Sequence, residues 1–216
     1  MKKRIVIFDL DGTLLNTIAD LGQACNHALA ATGFPTHPLD SYPYMVGNGI
    51  TRLIERALPA EHRDDATVAL AREHFLDYYG SHCMDLTRPY PGIPELLREL
   101  AERGIAVAVA SNKYQEAVTK LIGNFFPDTN WVAVEGHRLP RNTKPDPAIV
   151  YDIERIAGVT REKVLYAGDS GVDMDTAANA LVDSVGVTWG FRPESELRDH
   201  GACHIARHPD EILLYI

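Results

Sequence analysis

Five short apolar runs, each rich in β-branched residues and bounded by Gly, Asp or Asn, recur along this chain: Arg4 to Phe8, Ile105 to Val109, Trp131 to Val134, Val164 to Ala167 and Ser184 to Val187. Runs that are apolar at successive positions, not at alternate ones, belong to strands covered on both faces, and that is the mark of a parallel sheet. Helical patterns lie between them. Pro94 to Arg103 and Pro147 to Ala157 each open on proline and stop against glycine, Gly104 and Gly158, the punctuation that helices favour. Strands alternating with helices predict an α/β fold built on a doubly wound parallel sheet.

One stretch breaks the alternation. From about Thr17 to Cys83 there is helical periodicity without a convincing strand: Ile18, Leu21, Cys25, Ala28 and Leu29 form one stripe, Leu53, Ile54, Ala57 and Leu58 a second, and Val68, Ala71, Phe75 and Tyr78 a third. The expectation is an all-helical cap over residues 17–84, inserted into a Rossmann-like catalytic core of residues 1–16 and 85–216. The return segment Asp85 to Gly92 holds two prolines and a glycine, as a hinge would.

With 216 residues, of which 45% are hydrophobic, the chain can bury a substantial core without a staple. Its formal charge of −9 argues against nucleic-acid binding, which relies on clustered Lys and Arg, so any anionic ligand must be held by a local positive centre. Cys25, Cys83 and Cys203 lie far apart and indicate neither a zinc site nor a disulfide framework. Lys2-Lys3-Arg4 ahead of an apolar run has the outline of a signal peptide, but Asp9 and Asp11 interrupt that run too early, and no later run approaches membrane-spanning length. A cytoplasmic location and no membrane partner are expected.

Ligands of open α/β sheets bind beyond the carboxyl ends of the strands. Three of those exits carry unusual chemistry. The first strand empties into Asp9-Leu10-Asp11-Gly12-Thr13, whose spacing of two can direct both carboxylates to one side of an extended chain. The second empties into Ser111-Asn112-Lys113, and the fourth into Gly168-Asp169-Ser170-Gly171-Val172-Asp173. Each alone has an ordinary reading. D-x-D-G can be a turn, Ser111 and Asn112 can cap a helix, and Asp173 can be a carboxylate at a helix start. Their convergence on one edge of one sheet is harder to assign to unrelated caps. Concentrated carboxylates repel unless a cation neutralises them, and an oxygen-only donor set that handles phosphate favours Mg²⁺. Lys144 supplies a second positive centre. A solvated surface lysine is its ordinary reading, but the rigid Thr143-Lys144-Pro145-Asp146-Pro147 suggests an ammonium that is aimed.

These residues resemble the haloacid dehalogenase superfamily of phosphatases. Asp9-Leu10-Asp11-Gly12-Thr13-Leu14, Ser111-Asn112, Lys144-Pro145 and Gly168-Asp169-Ser170 through Asp173 look like its four motifs, in order. Val46-Gly47-Asn48-Gly49-Ile50 and Gly186-Val187-Thr188-Trp189-Gly190-Phe191 look most like phosphoglycolate phosphatases within it. Leu181 stands where relatives often have glycine, which puts the local turn in question. The resemblance implies hydrolysis of a small phosphorylated metabolite. Asp9 would be the nucleophile and Asp11 the acid/base. Mg²⁺ would lie on the Asp9 and Asp169 carboxylates and the Asp11 carbonyl. Ser111, Asn112 and Lys144 would bind phosphate, Thr13 would steer Asp11, and Asp173 would order Lys144 or the surroundings of the metal. In the cap, Gly47 and Asn48 form a turn open to a small ligand, and Arg52 either pairs with a substrate carboxylate or is a solvated helix arginine.

Other readings remain at this point. Pyrophosphate, nucleoside monophosphates and sugar phosphates are alternative substrates. A phosphosugar mutase would pass the phosphoryl group to a second hydroxyl, a dehalogenase would attack carbon, a receiver-like switch would hold the phosphate without turnover, and a metal-dependent scaffold would only bind. No G-x-S-x-G and no G-x-x-x-x-G-K-[ST] occurs. His137 and Arg138 follow the third strand, where a plain surface loop is the simpler reading.

Overall fold

The computed structural model describes residues 2–216. In chain order the strands are β1 Ile5–Phe8, β2 Leu15–Asn16, β3 Arg88–Pro89, β4 Ala106–Tyr114, β5 Trp131–His137, β6 Val164–Gly168, β7 Asp183–Val187 and β8 His204–Ala206. The helices are α1 Ile18–Ala31, α2 Ile50–Ala57, α3 Asp65–His82, α4 Ile93–Glu102, α5 Gln115–Phe125, α6 Ala148–Ala157, α7 Gly171–Ala180 and α8 Glu194–Asp199. The chain divides into two compact units, one reaching to Leu15 and resuming at Pro89, the other Asn16–Arg88. β2 and β3 pair with each other where the chain passes between the units.

The first unit is a six-stranded sheet in the order β5-β4-β1-β6-β7-β8, parallel throughout. β1 is buried at every position and sits between β4 and β6, with Phe8 level with Val109 on one side and Ala167 on the other. The strand order reverses direction there, so the crevice beyond Phe8 is the topological switch point of the sheet. Ile5 and Ile7 pack with Ile149, Val150 and Ile153 of α6 in a shared core. β4 runs well past the predicted Val109, and Ser111-Asn112-Lys113 is extended strand. β8 was not predicted: three residues at a sheet edge leave too short a pattern to read.

Gly158 closes α6 at φ +62°, as the sequence leads one to expect. α7 closes differently, on Leu181, which is the one non-glycine residue at positive φ, +59°, among the described residues. The turn survives the missing glycine because Val182 N donates to Ala177 O and Leu181 N to Ala178 O, the pattern of a left-handed helix stop. The left-handed backbone costs a leucine about 1–2 kcal/mol, and its side chain, 68% exposed, recovers little by burial. Leu181→Gly is therefore expected to stabilise the protein by about 0.5–1 kcal/mol after allowance for the looser unfolded chain. A denaturant midpoint that falls, with the slope unchanged, would contradict this.

The second unit is helical. α1 buries Leu21, Cys25, Ala28 and Leu29, α2 buries Leu53, Ile54 and Ala57, and α3 buries Val68, Ala71 and Phe75. The last place on the α3 stripe belongs to Tyr79, one turn after Phe75, and not to Tyr78, which stacks between His27 and His82. Asp20, buried on α1, accepts hydrogen bonds from Leu86 N, Thr87 N and Thr87 Oγ, and so keeps the return segment with this unit. Gly47 and Gly49 are at φ +116° and +83° ahead of α2. No helix among the described residues is long and apolar enough to cross a membrane.

Candidate active site

Asp9 is the first residue beyond β1, and its N–H still donates to Ala167 O of β6 at 2.9 Å, so the nucleophile candidate stands on the rigid end of the central strand. Lys144 reaches it from 135 positions away: Nζ lies 2.8 Å from Asp9 Oδ1 and 2.6 Å from Asp173 Oδ1, with Ala110 O at 3.1 Å and Tyr166 OH at 3.2 Å. The ammonium is buried, so the surface reading of this lysine is overturned. Asn112 holds it in place. Its side-chain oxygen accepts from Lys144 N at 2.7 Å and its amide donates to Lys144 O at 3.2 Å, a reciprocal pair that commits this side chain to the lysine loop.

Both readings of Asp173 hold at once, one on each oxygen. Oδ1 orders Lys144, while Oδ2 accepts from Ser170 N and Oγ in the capping box that starts α7. Asp169 accepts from Phe191 N at 2.7 Å and from Thr13 Oγ1 at 3.3 Å. Thr13 thus serves Asp169, which corrects the expectation that it steers Asp11. Asp11 is met instead by Lys113, whose Nζ lies 2.9 and 3.0 Å from its two oxygens. Sequence reasoning assigned Lys113 no role. The signal was present: residues two apart on a strand share a side, and Lys113 is two from Ser111 at the end of an apolar strand. Ser111 is buried, its Oγ accepting from Lys113 N at 3.2 Å. Arg138 pairs with Glu135, and His137 ends β5. Gly47, Asn48 and Arg52 belong to the second unit, where Asn48 accepts from Arg56 and Arg52 pairs with Glu55, with its side chain 66% exposed.

Charges in the pocket do not balance. Asp9, Asp169 and Asp173 each bring a carboxylate oxygen within 4.8 Å of the others, and Lys144 pairs with Asp9 and Asp173 but not Asp169. The Asp11–Lys113 pair is neutral by itself. With all three carboxylates ionised, two buried negative charges would be left over. Burial raises Asp9, and Asp173 and Asp11 raise it further against the pull of Lys144, to about 7. Asp169 is held well above the usual carboxylate range by burial, Asp173 and Asp9. Burial works against the Lys144 ammonium, but Asp173 and Asp9 outweigh it and keep it charged. A hard divalent cation on these oxygen donors would restore the balance, and the backbone makes room for the Asp169 carboxylate. A Cβ on Gly12 or on Gly190 would stand 2.2 Å from Asp169 atoms, so both positions require glycine.

Residues 6–187 match the family model described as haloacid dehalogenase-like hydrolase. The chain belongs to this family. It is 39% identical over 198 residues to a phosphoglycolate phosphatase of Pseudomonas putida, covering 87% of this chain and 70% of that one. A phosphoglycolate phosphatase of Mesorhizobium japonicum is 32% identical over 214 residues, covering 98% and 94%. The crystal structure of a Lactobacillus delbrueckii protein proposed to be a phosphoglycolate phosphatase superposes with a TM-score of 0.93 at 32% identity, covering 98% and 97%. A haloacid dehalogenase-like hydrolase of Streptococcus pneumoniae, at 20% identity and a TM-score of 0.89, shares the fold. This haloacid dehalogenase-like protein is accordingly an enzyme, a phosphatase, and the receiver and scaffold readings fall away.

Proposed function

We propose that the enzyme is a Mg²⁺-dependent phosphomonoesterase whose preferred substrate is phosphoglycolate and whose intermediate is phosphorylated Asp9. The observation that carries this reading is the buried Asp9–Lys144–Asp173 cluster with Asp169 beside it at the switch point of the sheet. Phosphoglycolate comes from the names of the relatives. With its three cysteines unpaired, the protein suits a reducing cytoplasm.

An Asp9 carboxylate oxygen attacks phosphorus as the bond to the ester oxygen breaks, so one difficult displacement becomes two easier ones. Asp11, once the bound substrate has drawn Lys113 from it and it carries a proton, gives that proton to the departing alkoxide. It then takes a proton from the water that attacks phosphorus, and the Asp9–phosphorus bond breaks to release inorganic phosphate. Lys144, Ser111 and the main chain at Asn112 surround the phosphoryl oxygens, while Asp173 and Tyr166 hold the ammonium in line. The carboxylates of Asp9 and Asp169 and the Asp11 carbonyl would hold Mg²⁺, which when bound supplies positive charge for the phosphoryl oxygens.

A panel of phosphoglycolate, pyrophosphate, nucleoside monophosphates and sugar phosphates tests the substrate. Phosphoglycolate is expected to give the highest kcat/KM, by roughly tenfold or more, the worth of one charge-assisted hydrogen bond to its carboxylate. Equal or better turnover of a sugar phosphate or pyrophosphate would move the assignment to that substrate.

A further inference from the structure

Two buried ammonium groups stand at this sheet edge, and they serve different carboxylates. Lys144 lies on Asp9 and Asp173, while Lys113 lies on Asp11, with side-chain exposures of only 4% and 13% for the latter pair. We propose that Lys113 is the specificity residue of the enzyme and binds the negative charge carried by the leaving group of the substrate. This inference rests on the reading of Asp11 as the acid that faces the ester oxygen.

That acid must come within hydrogen-bond reach of the ester oxygen to protonate it. Lys113 Nζ is within 3.0 Å of both Asp11 oxygens, so it stands on the leaving-group side of phosphorus, as Lys144 stands on the nucleophile side. In phosphoglycolate a single methylene separates the ester oxygen from the carboxylate carbon. An ammonium touching Asp11 can therefore reach an anion one methylene from an oxygen that also touches Asp11. Arrival of the substrate exchanges one carboxylate partner of Lys113 for another and releases an Asp11 oxygen to face the ester. The ammonium is a compact charge with rotatable donors on a flexible stem, suited to such an exchange. Its backbone lies in the extended end of β4, and Lys113 N donates to Ser111 Oγ at 3.2 Å. A substrate anionic at both ends requires a cation at each end.

The test compares kcat/KM for phosphoglycolate with that for its amide, phosphoglycolamide, which keeps the size and the ester but loses the second charge. The wild-type enzyme is expected to favour the acid, and Lys113→Met to lower that preference roughly ten- to a hundredfold. Loss of the Asp11 contact slows both substrates, and the ratio cancels that effect. Lys113→Arg should recover part of the ratio, and Lys113→Gln serves if the methionine variant is not folded by circular dichroism. An unchanged ratio in folded Lys113→Met overturns the inference while leaving the phosphoglycolate reading in place. A ratio lost in Arg52→Ala and kept in Lys113→Met overturns it too, and gives the carboxylate to Arg52. A wild-type enzyme indifferent to the second charge removes the phosphoglycolate reading and this inference together.

Discussion

Asp9→Asn is expected to lower kcat by roughly three orders of magnitude or more, because the amide cannot attack phosphorus and no neighbouring group can replace it. The fold should survive. Asparagine is isosteric, and Lys144 keeps its 2.6 Å contact to Asp173 after the change. Rapid acid quench of the wild-type enzyme with labelled substrate should trap a protein-bound phosphate that hydroxylamine removes, the behaviour of an acyl phosphate. The Asp9→Asn enzyme should trap none. Substantial turnover by the variant, or a competent wild-type reaction without the trapped species at any time, would remove the covalent route.

The second large effect is expected at Asp169, the carboxylate of the buried trio that Lys144 does not pair with. Chelation should abolish wild-type activity and Mg²⁺ should restore it. Ca²⁺ should bind without supporting comparable rates, because its looser coordination does not hold the reacting groups in line. In Asp169→Ala only one carboxylate of the proposed set remains, and the Mg²⁺ concentration for half-maximal activity should rise a hundredfold or more, about 2.7 kcal/mol of lost binding. The change also strips Phe191 N of its acceptor at 2.7 Å, so Asp169→Asn, which keeps an acceptor, separates lost charge from lost stability. pH adds a sign. Asp9 is raised from its ordinary 3.8 to about 7, so protons compete with the cation as pH falls through neutrality, and the Mg²⁺ requirement should increase from about pH 8 to about pH 6. Full activity in metal-free buffer, or a requirement indifferent to Asp169, would refute the assignment.

The sheet strands were legible because Ile5–Phe8 and Val164–Gly168 are buried on both faces and so are apolar at nearly every position. Gly158 and Gly104 marked helix stops for the same kind of reason, since each sits at a positive φ that glycine tolerates best. Asp9, Asp169 and Asp173 can be placed at strand exits from the sequence, because where a parallel strand ends is a property of its own short segment. The register between segments is not such a property. It is set by β1 lying between β4 and β6, with Phe8 opposite Val109 and Ala167. That pairing, with the loop between β5 and α6 brought over the same strand ends, lets Lys144 meet Asp9 across 135 positions and Lys113 meet Asp11 across 102, while the Thr13 hydroxyl goes to Asp169 instead of Asp11. Tyr79 in place of Tyr78, and the edge strand at His204–Ala206, were decided in the same way, by packing against neighbours rather than by local pattern. By itself the sequence determined which chemical groups stand at the sheet edge. Only the tertiary structure decided which carboxylate each ammonium faces, because hydrogen bonds between side chains a hundred residues apart depend on strand order and register, which no local periodicity encodes.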